Sequence, residues 1–314
     1  MGCRLWASAL FALYSSCASD TGVEPDASAT SEHFSFFVAS YAAMQRLSGS
    51  QSGFGGDLRH GEQDGLTGAD KICREIAEGS LAGSGKKTWR AFLSATKGAN
   101  GQPVHAIDRI GEGPWYDRRG RLLAMTKADL LHDRPAGADP AIADDLPNED
   151  GVPNHAPDGT EVDNHDILTG TGDDGRLFGS DWSATCHDWT SSVGSDGKPR
   201  VGHSWPRDFS MIFGDGGFPP GFPFGDGGMP PFPIPDGGMP PFPFPDGGFP
   251  PGFPPGFDPS QLGSIDGVNW MSSLNEAGCA PGASLVEMGP PNPSNPTVGS
   301  GGGYGGIYCF ALTP

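Results

Sequence analysis

The apolar residues of this chain come in short bursts between long polar stretches, and only a few windows sustain a period. Phe34-Ser-Phe-Phe-Val-Ala-Ser is aromatic and β-branched, which predicts a first strand. Gly and Ser crowd residues 49–65, which read as a loop. Leu66-Thr67-Gly-Ala-Asp70 then has the form of a capping box, with Thr67 as N-cap and the Asp70 carboxylate three residues on. The helix it opens places Ile72, Cys73, Ile76 and Ala77 on one face and stops at Gly79, so Cys73 points to the core. Trp89, Ala91 and Leu93 alternate with Arg90, Phe92 and Ser94 as a strand would, although Phe92 blurs the polar side. A second helix start, Thr126-Lys-Ala-Asp129, repeats the Thr-x-x-Asp pattern. Ile167-Leu-Thr-Gly-Thr and Gly306-Ile-Tyr-Cys309-Phe-Ala-Leu312 have strand composition, and residues 132–166, with ten acidic side chains and a single Arg, read as loop.

Outside these elements two regions have another character. Residues 1–17 carry one basic side chain and an apolar run from Leu5 to Tyr14, the length of a signal peptide and too short to span a bilayer. Tyr14-Ser-Ser-Cys17 looks like a lipoprotein signal with Cys17 as the lipidated residue, with plain secretion after cleavage near Ser16 to Ser19 as the alternative; residues 18–32 then form a flexible tether. Within a domain spanning 33–314, residues 214–257 are a low-complexity insert: 28 of its 44 residues are Gly or Pro, nine are Phe, and Asp-Gly-Gly-Phe/Met-Pro-Pro recurs. Glycine does not fall at every third position, so this is no collagen helix, and the prolines exclude a regular helix or central strand. Short polyproline-like pieces joined by turns would expose Phe and Met, which suits self-association or contact with an envelope component.

The formal charge of −19 and pI of about 4.5 argue against nucleic acid or sulfated polysaccharide as partner, since both are held by Lys and Arg. Of six cysteines, Cys73, Cys186, Cys279 and Cys309 lie within the domain, and spacing alone leaves their three pairings open.

Four phrases carry a resemblance: Ala-Asp-Lys-Ile-Cys73, Thr88-Trp-Arg-Ala-Phe-Leu-Ser-Ala95, Leu-Thr-Gly-Thr-Gly-Asp-Asp-Gly-Arg-Leu-Phe-Gly-Ser-Asp-Trp-Ser-Ala-Thr-Cys186-His-Asp-Trp-Thr-Ser-Ser, and Ile-Tyr-Cys309-Phe-Ala-Leu. Together they resemble the endostatin-like branch of the C-type lectin-like fold, and more closely a bacterial family of unknown function that includes leptospiral endostatin-like surface proteins. The resemblance implies an α+β domain with two short helices on small, mostly antiparallel sheets, first and last strands side by side, and nested bridges Cys73–Cys309 and Cys186–Cys279. It further implies an extracellular or outer-surface, non-catalytic binding protein, adhesin-like, with a protein or polysaccharide partner. The alternative is a structural envelope component that self-associates through the insert.

Chemistry sharpens this only by subtraction. The Glu-Pro-Asn and Trp-Asn-Asp phrases of calcium-dependent lectins are missing, so no cofactor is called for, although Asp163, Asp166, Asp173 and Asp174 cluster oxygens near turns and are the calcium candidates. Eight His are scattered without His-x-His or His-Glu-x-x-His, so no zinc site is expected. Gly202-His-Ser204-Trp-Pro206 lacks the second Gly of a nucleophile elbow, and Gly83-Ser-Gly85-Lys86-Lys87-Thr88 departs from the phosphate loop at two positions. A hydrolase is therefore the least favoured reading. Trp89, Trp182 and Trp189 are expected in the core.

Overall fold

The computed structural model describes residues 33–153, 165–206, 269–285 and 291–313; Cys17, Asp163, the leader, the tether and the insert lie outside them. In chain order its elements are β1 (Phe36–Val38), α1 (Tyr41–Ser48), α2 (Gly65–Ser80), β2 (Trp89–Ala91), α3 (Ala106–Arg109), β3 (Trp115–Tyr116), β4 (Leu122–Ala124), α4 (Lys127–Leu130), β5 (Asp166–Leu168), β6 (Arg200–His203), β7 (Leu274–Asn275) and β8 (Gly303–Ala311). The result is a mixed α+β architecture of short helices and small sheets.

Strand β8 organises it. Its nine residues are all buried, and they pair with β5 in parallel through Gly303–Ile307 and with both β1 and β2 antiparallel through Tyr308–Ala311. Strands β6 and β7 follow outward from β5, and β3–β4 form a separate ribbon. Because the sheet is covered on both faces, β8 alternates between two cores rather than between core and water. Ile307, Cys309 and Ala311 join Phe37, Trp89, Leu93, Ile72 and Ile76 on the α2 side. Tyr308 and Phe310 join Phe36, Phe92, Trp115 and Trp270 on the other. The same arrangement explains Phe92: the face that looked polar faces a second core.

Helix α2 buries Ile72, Cys73, Ile76 and Ala77 as their spacing predicts, but its start differs. The N-cap is Asp64, whose carboxylate accepts hydrogen bonds from Thr67 N and Thr67 Oγ1 at 2.8 and 2.7 Å. Asp70 is thereby released from capping and serves two arginines instead. Helix α1, capped by Ser40 and ended by Gly49 in the left-handed region, was not anticipated. Its cap is secured from a distance, since Glu149 accepts from Ser40 N and Oγ. At Thr126 the capping box with Asp129 is present, yet α4 lasts one turn.

Two disulfides tie these layers together in the nested order. Cys73–Cys309 joins α2 to β8, and Cys186–Cys279 joins the turn after residue 185 to the segment after β7, with separations of 236 and 93 residues. Loops of this size are worth about 5 kcal/mol each in the chain-entropy account of disulfide stabilisation. Trp89 and Trp189 are buried as expected, whereas Trp182 is 55% exposed and packs on the edge of the half-buried His187 ring.

Candidate functional site

Two groups of polar side chains stand out, one buried and one open. The buried group forms where β5 meets β6. Asp166 opens β5 and lies directly opposite His203, the last residue of β6, while His165 precedes Asp166. Asp166 Oδ1 is 3.0 Å from His203 Nε2 and 3.4 Å from His165 Nε2, and the two rings meet edge to face with centroids 4.3 Å apart. His203 Nδ1 is fixed by Ser273 Oγ at 3.1 Å. Gly202, beside His203, lets the backbone at Trp270 pack close on β6, because a β-carbon there would overlap the Trp270 carbonyl. All three ligand-type residues are shielded from solvent.

A second carboxylate backs the first. Glu276 is fully buried, and its Oε2 accepts from Ser300 Oγ and Gly301 N at 2.7 and 2.9 Å. Burial, then the charge and contact of Asp166, push its carboxyl well above the ordinary range. Gly301 presents no side chain here, since its β-carbon would come 3.0 Å from Asp166 Oδ2. Nearby, burial also raises the Tyr308 hydroxyl. The Arg134 guanidinium spans the carbonyls of Ala143, His203 and Ser204.

Among the described residues, His165, Asp166 and His203 are the one set of three or more metal-ligand side chains whose donor atoms converge, within 4.8 Å of one another. Of the calcium candidates, Asp163 lies outside the described residues. Asp173 and Asp174 are exposed in a turn where Asp174 accepts from Arg176 N, and Asp166 sits apart from them between histidines. Spacing along the chain does not reveal these histidines, because strand register brings together residues 165 and 203.

The open group is a cleft of about 990 Å³ beside α2, bounded by the turn at 84–87, β2, the loop at 97–104 and Asp188. Every basic residue from Lys71 to Arg109 lines it: Lys71, Arg74, Lys86, Lys87, Arg90, Lys97 and Arg109. That stretch carries seven Lys and Arg against three Asp and Glu, a local excess hidden by the acidic total. Asp70 holds Arg90 at 2.9 Å and Arg109 at 2.7 Å and also accepts from Ala91 N, which makes the cleft wall rigid. Lys71 is paired with Glu62 at 3.1 Å. Arg74 and Lys97 are exposed and make no ion pair or side-chain hydrogen bond among the described residues.

Asp188, which lines the cleft, belongs to a strained turn. Cys186, His187, Asp188 and Trp189 all have positive φ, between 46° and 64°, a left-handed turn built without glycine. Each such residue costs about 1–2 kcal/mol. The turn is held by the Cys186 disulfide, by Asp188 accepting from Thr96 N and Oγ1, and by Trp189 Nε1 donating to Ser94 O. The phosphate-loop resemblance dissolves here: the Gly83 and Gly85 N–H groups are occupied by the Glu78 carboxylate, whose pKa those two bonds lower.

No protein-family model matches the chain, and no curated protein matches it. Among the described residues no helix is long and apolar enough to cross a membrane.

Proposed function

We propose that this protein is a non-catalytic binding protein of the cell exterior, built on an endostatin-like C-type lectin-like domain, and that the cleft beside α2 seats an acidic segment of a partner protein. The observation that carries this reading is the convergence of seven basic side chains on one cleft in a chain of charge −19. Asp70 and the strained turn at 186–189 hold the walls in place before any ligand arrives, which lowers the ordering cost of binding. Arg74 and Lys97, already exposed and without ionic partners among the described residues, can bond to a carboxylate without breaking an existing pair. Glu62, Asp64, Asp70 and Asp188 are interleaved with the cations, and they disfavour a continuous polyanion relative to a peptide with spaced carboxylates. Two disulfides suit an oxidising compartment, and the pairing of β1 with β8 supports the family resemblance.

The test is a binding screen of the bridged protein against acidic peptides, extracellular matrix proteins and anionic polysaccharides at low and high salt. Saturable binding of acidic peptide or protein, weakened about tenfold or more by salt, supports the reading. Binding confined to polysaccharide, or binding indifferent to salt, overturns it.

A further inference from the structure

The geometry points to a buried site for a divalent transition metal, zinc foremost, held by His165, Asp166 and His203. At a tetrahedral centre with bonds of about 2.0–2.1 Å the ligand atoms stand about 3.3 Å apart. The two edges from Asp166 Oδ1 measure 3.0 and 3.4 Å and all three donor atoms lie within 4.8 Å of one another, so two edges already have the spacing of a metal site and the edge between the two histidines closes by reorientation of the rings. Two imidazole nitrogens and one carboxylate oxygen suit zinc, copper, iron or nickel, whereas calcium and magnesium want oxygen alone. Zinc adds no redox chemistry of its own, which suits an oxidising compartment.

The surroundings are those of a prepared site. Ser273 Oγ fixes His203 through Nδ1, leaving Nε2 directed at Asp166, the outer contact that ligating histidines ordinarily have. Glu276 lies against Asp166 in a dry core, and its Oε1 receives no hydrogen bond from any N–H or O–H group. Because the three ligands are shielded from solvent, the ion acts as a clamp between the start of β5 and the end of β6.

The experiment uses the full bridged protein, purified without metal affinity and stripped with chelator, and then titrated with zinc chloride or cobalt chloride. The expected results are about one equivalent of zinc bound, a raised melting temperature, and a cobalt visible spectrum of the intense tetrahedral type. Ser273→Ala, which keeps all three ligands, should fold and bind zinc about 10–100-fold more weakly, and His203→Gln should lose stoichiometric binding. Identical melting in zinc and in chelator, with no tetrahedral cobalt spectrum from the unmutated protein, would overturn the proposal even if the variants failed to fold.

Discussion

The β5–β6 cluster and the cleft beside α2 are both rich in ionisable groups, but they use them in opposite ways. At β5–β6, imidazoles and carboxylates face one another in the core, and each is answerable to its neighbours for remaining there. In the cleft, Asp70 anchors two arginines as a wall while Arg74 and Lys97 extend to solvent. Charge without water becomes architecture, because an unanswered buried charge costs several kcal/mol. Charge in water is left available to a ligand. Substitutions in the first region should therefore be read in stability, and those at the cleft's exposed cations in binding.

Asp166→Ala should break the buried region most severely. It removes the group that both histidines face, and the loss of one partner from a buried ionic set costs about 3–5 kcal/mol. Urea unfolding with the disulfides intact measures it, and a loss below about 1 kcal/mol would mean that the cluster is not structural. Asp70→Ala comes next and sharpens the comparison, because Asp70 lines the open cleft yet holds Arg109, which is 10% exposed. It should cost about 2–3 kcal/mol, the expense of leaving a nearly buried guanidinium without its carboxylate.

Glu276→Gln addresses pH. The folded-state pKa of Glu276 lies well above its ordinary 4.5, so its contribution to stability is present below that value and is lost as pH rises toward the raised one. Gln mimics the protonated carboxyl. In chelator, the variant should match the wild type in acid and exceed it progressively as pH rises, and parallel stability curves would refute the assignment. The smallest effect belongs to Arg74→Ala and Lys97→Ala, each expected within about 0.5 kcal/mol of wild type by thermal unfolding.

The same contrast explains what could be read in advance. The buried face of α2 was legible because Ile72, Cys73, Ile76 and Ala77 keep helical spacing over a long element. The strand around Trp89 was legible from the alternation of Trp89, Ala91 and Leu93 with their neighbours, and the strand at Cys309 from its composition. The cap of α2 was not, since Asp64 and Thr67 both suit an N-cap and only tertiary demand from Arg90 and Arg109 decides the role of Asp70. Strands β3, β4 and β7, two or three residues long, carry too little period to be seen. Of the sites, the cleft had a local signal in the charge from Lys71 to Arg109, masked by the total. The histidine cluster had none, because register across β5 and β6 is a property of the folded sheet.

The measurement that bears most directly on the cleft is a calorimetric titration of an acidic protein segment selected in the binding screen, with the wild type and with the double variant Arg74→Glu, Lys97→Glu. The account predicts that reversal abolishes saturable binding, weakening it by about a hundredfold or more, while the melting temperature stays near that of the wild type. Undiminished affinity in a folded double variant would contradict it and place the binding surface elsewhere on the molecule.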